Sequence, residues 1–534
     1  MWLGLDRLTR AARVRIPPAT LAILAAAIAA GCVAGCGAGH SSTAATTLPA
    51  PAGPTGKTAT HKHTTRPISR TNKPIVVAEH AGPPPLEGMH QLRSELRHEM
   101  ALAGRDSGAY VYDMTTSATV FSLRAGTKRP PASVEKLFTS VASLSELGPK
   151  ARLHTAVLGK GHLGPGGVWH GNLYLRGGGD PTFGSASFNR LYEQGEGPTV
   201  SQLVTQVKRD GIRRVTGHVI GDASLFDSRL GPPSSGFAPD LPDLGGELSG
   251  LTYNHGASGG LKPGAFAAHA LALALRSNHV WALASRRTGV TPPTALPLAS
   301  VSSPPLSVLL RLMNVPSDDF FAEMLAKQLG ARFGGAGSTA AGAKVISSVI
   351  GADFGLHPKI VDGSGLSRKD KASPLEVVDL LRAIWHTSMG NVLSRSMPTV
   401  GVNGTVASIA TATPAQGHCI AKTGTLDNVT NLSGYCHTAG HQLVAFALFV
   451  DGPENWQALE LEGKMVGYIA GRDPARPCAP SRRRRVNRGN PVRRCSPSRW
   501  AACPLGTPPA TPMVSRVIAS TASRVASASV TQLR

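Results

Sequence analysis

Ser133-Val134-Glu135-Lys136 sets a hydroxyl three residues before an amine. On the first turn of a helix, side chains three apart lie one above the other, so the amine reaches the hydroxyl and can take its proton. That is a nucleophile beside its base. Pro130 and Pro131 precede the pair, where a helix can begin, and Leu137 to Ala142 continues with apolar residues that can bury it. The serine then sits near the positive end of the helix dipole. Of all the lysines in the chain, only Lys136 has a serine three residues before it.

A second chemistry-bearing run is Lys422-Thr423-Gly424-Thr425. A cation followed by small hydroxyl residues at a strand edge suits a carboxylate ligand, and Gly424 lets a substrate come close to the backbone. Between two stretches of helical period lies Ser317-Asp318-Asp319. Gly256-Ala257-Ser258-Gly259-Gly260 matches the Gly-x-Ser-x-Gly elbow of esterases, which needs a strand running straight into a helix; the glycines and Pro263 that follow the serine read as a loop instead. No cysteines are spaced Cys-x-x-Cys, and His98-Glu99 is followed by Leu102 where a zinc protease needs its second histidine. Gly177-Gly178-Gly179-Asp180 lacks the Lys-Ser or Lys-Thr of a phosphate loop and reads as a tight turn. His61 and His63 read as solvated linker side chains. The expectation is therefore no metal and no cofactor.

The elements that must carry these residues follow from periodicity. Leu92, Leu96 and Leu102 have roughly helical spacing; Ala109 to Asp113 and Ala118 to Leu123 read as strands joined by a turn, directly before the Ser133 helix. Residues 155–300 have a different texture, with strands at 154–159, 171–176 and 216–222 broken by Gly and Pro. Helical period returns at Leu306 to Met313, Phe321 to Leu329 and Pro374 to Trp385. Strands follow around Cys419 to Lys422, Leu432 to Cys436 and Leu443 to Val450, and a last helix spans Trp456 to Ile469. The implied plan is a catalytic domain in two parts, 91–154 and 301–471, separated by one or more β-rich inserted domains.

Arg7, Arg10, Arg13 and Arg15 precede the apolar stretch Ala19 to Ala30, which reads as an export signal. Val33-Ala34-Gly35-Cys36 resembles a bacterial lipobox, so 1–36 is expected to be a signal peptide with Cys36 lipidated; Cys32 is the poorer candidate, and ordinary cleavage with a secreted product is the alternative. Residues 37–90, rich in Ser, Thr, Ala, Pro and Gly, read as a disordered tether. The net charge of +23 is concentrated at the ends: from Arg472 onward there are 13 arginines against one acid, and residues 1–90 carry nine cations against three acids, leaving +5 for the rest. This pattern favours membrane or wall contact over specific nucleic-acid binding, and 472–534 reads as a basic disordered tail. With 41% hydrophobic residues, the middle of the chain can build real cores.

The order Ser-x-x-Lys, Ser-x-Asp in place of Ser-x-Asn, Lys-Thr-Gly resembles the penicillin-recognising serine acyltransferases. Leu173 to Thr182, Asp362 to Arg368 and Ala421 to Leu426 narrow the likeness to the D-alanyl-D-alanine carboxypeptidase/endopeptidase family of DacB type, the class C low-molecular-mass penicillin-binding proteins. The resemblance spans roughly residues 90 to 470. It implies an α/β (α+β) fold: a serine transpeptidase-like catalytic domain, an antiparallel sheet flanked by helices, with a β-rich insertion. It further implies that Ser133 attacks the carbonyl of a D-Ala-D-Ala bond in peptidoglycan stem peptides, or of a β-lactam, and that Lys136 takes its proton. Ser317 would relay protons; Lys422, Thr423 and Thr425 would hold the terminal carboxylate; backbone N–H groups of Ser133 and Thr425 would form the oxyanion hole. Asp319 departs from the family's asparagine, since a carboxylate cannot donate and favours an ammonium beside it. Asp370 likewise replaces an asparagine. A catalytically weakened wall-binding homologue is therefore the second reading. Cys419 and Cys436 fall on neighbouring strands, where a disulfide and two buried thiols both fit.

Overall fold

The computed structural model describes residues 87–256 and 260–473. The leader with Cys36, the tether up to residue 86, Ser258 and the tail from residue 474 lie outside the described residues. Helix α1 (Glu87–Leu102) opens the fold, four residues before the expected boundary at 91, and leads into strands β1 (Gly108–Asp113) and β2 (Ala118–Leu123). Ser133 sits in a 3₁₀ turn, Ala132–Glu135, ahead of α2 (Lys136–Leu147). A second set of elements follows: β3 (His154–Gly164), β4 (Val168–Arg176), α3 (Ala186–Tyr192), α4 (Val200–Arg209), β5 (Arg214–Asp222), α5 (Pro263–Ser277), β6 (Trp281–Thr288) and β7 (Leu296–Ser302). The chain then makes helices α6 (Leu306–Asn314), α7 (Asp319–Phe333), α8 (Thr339–Phe354), α9 (Pro374–Ile384) and α10 (Ser388–Ser396). It closes on β8 (Cys419–Leu426), β9 (Val429–His437), β10 (Leu443–Asp451) and α11 (Asn455–Ala470).

The first sheet is antiparallel in the order β2-β1-β10-β9-β8. Alternation along its strands feeds two cores. Val111, Leu432, Phe446 and Leu448 pack with α1 and α11, whereas Tyr110, Tyr435, Ala447 and Phe449 pack with α2, α8 and α9. In α1 the buried stripe is Leu92, Leu96 and Met100, at steps of four; Leu102 falls off that stripe and is 57% exposed. The second sheet runs β6-β5-β4-β3-β7, with β4-β5 and β5-β6 parallel. Parallel pairs need crossovers, and α4 and α5 supply them while burying Leu203, Val207, Leu271 and Leu275 against the sheet. These helices are an addition to the strands expected there.

Strand β8 is the edge of the first sheet. The outer side of its first half is occupied: Val400 N donates to Cys419 O (2.9 Å) and Ala421 N to Pro398 O (3.1 Å). Among the described residues no strand pairs with the outer side of Thr423 to Leu426. An extended chain can add there by backbone hydrogen bonds. Cys419 and Cys436 face each other in the β8-β9 register and are joined by a disulfide on the side away from Lys422. No helix among the described residues is long and apolar enough to cross a membrane.

Candidate active site

Three separate pieces of chain meet at Ser133. The turn that carries it is 3₁₀ rather than α, and in that geometry side chains at i and i+3 eclipse. Lys136 Nζ accordingly lies 2.9 Å from Ser133 Oγ. Ala132, at the start of the turn, adopts φ +47°, a left-handed conformation unusual for alanine, and the turn runs on directly into α2. The packing around the turn holds it there. Asn431 Nδ2 donates to the carbonyls of Pro130 (3.0 Å) and Pro131 (2.8 Å). Gly365 and Gly424 press on it from two sides: a Cβ on Gly365 would meet Ala132 O at 1.9 Å, and one on Gly424 would meet Pro131 O at 2.5 Å. The room at Gly424 is thus filled by the nucleophile's own turn, where the sequence suggested space for substrate.

Lys136 is fully buried and makes three contacts: Ser133 Oγ, Asp319 Oδ1 at 2.5 Å and Ser364 O at 2.8 Å. An ammonium has three protons to donate, and here are three acceptors. Ser317, at φ +66°, bridges α6 and α7 and brings its hydroxyl within 2.6 Å of Lys422 Nζ, which also donates to Thr423 O (2.9 Å). Complete burial pushes the Lys422 ammonium well below its ordinary range; repulsion from Lys136 adds to this and Asp319 opposes it. An arriving carboxylate would supply the counter-charge that the buried lysine lacks. Thr423 Oγ1 bonds Thr405 Oγ1 at 2.7 Å, and Thr425 is exposed on the open edge.

Thr405, Asn431 and the Ser364 carbonyl carry no motif of their own. Only the loop sequence Asp362 to Arg368 hinted at the last. That loop is built on acids: Glu323 Oε1 accepts from the N–H of Gly363 (2.8 Å) and Ser364 (2.9 Å), while Asp362 accepts from Gly365 (2.7 Å) and Ser367 (2.8 Å). Asp370 Oδ1 accepts from Val361 N. Burial, and then repulsion from Asp362, push Glu323 up to about 8 and Asp370 up to about 9. Both folded values lie above those of free carboxyls, so the native state keeps protons that the unfolded chain releases. That contribution is whole below pH about 4 and is lost as pH rises through 8 and 9. The melting temperature should fall across this range. Asp370→Asn, which mimics the protonated acid, should flatten the fall, recovering about 1 °C for each kcal/mol regained in a fold of this size. Unchanged pH dependence in that variant would show that Asp370 does not hold the proton. Among the described residues, no group of three or more His, Cys, Asp or Glu could hold a metal ion.

The profile of the D-Ala-D-Ala carboxypeptidase 3 (S13) family matches residues 89–239 and 261–471. The chain belongs to that family. It is 28% identical over 459 residues to the D-alanyl-D-alanine carboxypeptidase of Actinomadura sp. (strain R39), covering 69% of this chain and 82% of that protein. It is 29% identical over 384 residues to carboxypeptidase DacB of Mycolicibacterium smegmatis, covering 67% of this chain and 80% of that one. The crystal structure of penicillin binding protein 4 (dacB) from Haemophilus influenzae superposes with a TM-score of 0.60 at 20% identity, over 72% of this chain and 99% of the other. The fold is therefore the penicillin-recognising one. As a member of the S13 family the protein is a hydrolase, a D-Ala-D-Ala carboxypeptidase of the cell wall.

Proposed function

We propose that Ser133 is the nucleophile and that acyl transfer runs through two hydroxyl-lysine pairs. The observation that carries this reading is the meeting of the Ser133–Lys136 pair with Ser317 and Lys422, from three distant stretches of sequence. The terminal D-Ala-D-Ala of a stem peptide adds to the open edge of β8, its carboxylate beside Lys422 and the Thr425 hydroxyl. Ser133 Oγ attacks the penultimate carbonyl carbon while its proton passes to the amine form of Lys136. As the C–N bond breaks, Ser317 hands a proton to the departing D-alanine nitrogen and is resupplied by Lys422. Water then attacks the ester carbonyl and its proton passes through Ser317 back to Lys422, while Lys136 returns its proton to Ser133 Oγ as the ester C–O bond breaks. Backbone N–H groups of Ser133 and Thr425 are the oxyanion donors. A β-lactam follows the first half of this path and stops at the ester.

The same reading puts the protein outside the cytoplasmic membrane, lipidated at Cys36, with residues 155–300 inserted between the catalytic halves 91–154 and 301–471, and with 472–534 as a basic tail. The Cys419–Cys436 disulfide favours an oxidising compartment. Detergent-phase partition of the full chain, compared with Cys36→Ala, tests the anchor.

One observation favours the weakened wall-binding reading: Asp319 gives Lys136 Nζ a third acceptor, an anion at 2.5 Å, where a base must turn its lone pair to Ser133. D-alanine release from a synthetic pentapeptide separates the two. Turnover that disappears in Lys136→Ala supports the enzyme; stoichiometric binding without release supports the other.

A further inference from the structure

Behind the Ser317-Asp318-Asp319 turn lies a charged cluster contributed by the residues between β4 and α5. Glu193, at the end of α3, and His255 are both buried, and His255 Nε2 stands 2.7 Å from Glu193 Oε1. The other ring nitrogen, Nδ1, faces Gly245 O at 3.2 Å. The Gly245 carbonyl faces one nitrogen, and the Glu193 carboxylate stands at ion-pair distance from the other without hydrogen-bond alignment, so both sides of the ring are lined by acceptors that suit an imidazolium. It stacks on Phe320 with centroids 4.3 Å apart and meets Phe321 and Phe188 edge-on at 5.9 and 5.0 Å. Phe320 and Phe321 form the first turn of α7, whose N-cap is Asp318: its Oδ1 accepts from Phe321 N at 2.9 Å. Ser317 precedes that cap in a left-handed conformation and Asp319 follows it. The backbone of His255 is left-handed too, at φ +58°, and its carbonyl accepts from Glu247 N at 2.8 Å.

We propose that His255, held beside Glu193, is a positioning residue for acylation: packing on Phe320 and Phe321, it fixes the start of α7 and so places Ser317 and Asp319 against Lys422 and Lys136. The inserted elements then belong to the machinery of the site. This rests on the assignment of Ser133, Ser317 and the two lysines above.

The charged groups that act on the ring are Glu193 and Asp318; Asp319 and Glu193 act in turn on Asp318. Burial opposes a charged His255, but Glu193, Asp318 and the Gly245 carbonyl outweigh it and hold the ring above its usual value. Desolvation, opposed by His255 and the Phe321 N–H, leaves Asp318 pushed up to about 6. The attraction between them is therefore present above about pH 6 and is lost as pH rises through the His255 value.

His255→Asn tests the idea, because asparagine tolerates the left-handed backbone and keeps a donor but has no charge. Asp318→Asn keeps a good cap and removes the charge on the other side. The measurement is the rate of penicillin acylation of the full chain across about pH 5 to 9, with Ser133→Ala showing that label at Ser133 is what is counted. His255→Asn should acylate about tenfold more slowly near neutrality and lose the wild-type alkaline limb, and the double variant should be no slower than either single one. Glu193→Gln, which leaves the ring in place, should shift that limb to lower pH. A wild-type rate and profile in His255→Asn would overturn the proposal. So would losses that are independent of pH and add in the double variant, the mark of a purely structural pin. If His255→Asn does not fold, Glu193→Gln decides: an unmoved limb overturns the proposal. Label that survives Ser133→Ala would instead overturn the assignment of the nucleophile and leave the pH comparison standing.

Discussion

Ser133→Ala should abolish covalent penicillin labelling and cut D-alanine release by about 10⁶-fold, the loss typical of removing a catalytic serine. The variant should fold normally, because the turn is held by Asn431, Gly365 and Gly424 rather than by the hydroxyl. Lys136 keeps Asp319 and Ser364 O as partners, so no buried charge is stranded. Ser258→Ala is the matching control. Its Gly-x-Ser-x-Gly setting is the nearest enzymatic rival, and loss of label in that variant alone would transfer the nucleophile to it. Fluorescent penicillin on a denaturing gel reads both outcomes directly.

Asp319→Asn should speed acylation by at least about tenfold, within the range that a positioned general base contributes. In the wild type Lys136 donates to three acceptors, one of them an anion 2.5 Å away. A base must instead offer a lone pair to the Ser133 proton. Asparagine can still accept from Lys136 while its amide donates toward a substrate carbonyl, so the pocket keeps its contacts and loses the anion. Lys422 would feel the change as well: Asp319 is the one group acting to hold up its charge, so the ammonium should be harder to keep. Carboxylate binding and acylation should therefore move in opposite directions, KM rising while the acylation rate increases. An unchanged rate would mean that the Asp319 charge does not limit acylation, and a slower one would implicate Asp319 itself in the proton relay.

The parts of the fold that could be read from sequence are those with strong alternation or a clean apolar stripe. Val111 to Asp113 against Val444 to Phe446, and the α7 and α9 stripes, fall in this class. Helix α8 escaped because its sequence is rich in Ala and Gly, which suggests a loop. Gly342 serves close packing instead: a Cβ there would meet Ala326 O of α7 at 2.0 Å. The crossover helices α4 and α5 were hidden by the Gly-broken strands around them, although α4 carries a Thr199–Gln202 capping box. At the site, Ser133, Lys136, Ser317, Asp319 and Lys422 could be named from motif order. The groups that orient them could not. Asn431 acts on proline carbonyls some 300 positions away and Ser364 acts through its backbone, and neither interaction leaves a pattern in neighbouring residues.

The pairing of β1 with β10 joins residues 108–113 to 444–449. Until that ladder closes, the early part of the chain that bears Ser133 has no partner for Lys422 or for the edge strand. Such long-range closure is slow, because the intervening chain must be ordered first. A chain made from its N-terminus would therefore be chemically silent until residues 444–449 had been synthesised and paired. Reaction with penicillin would then time the closing of the β1–β10 ladder.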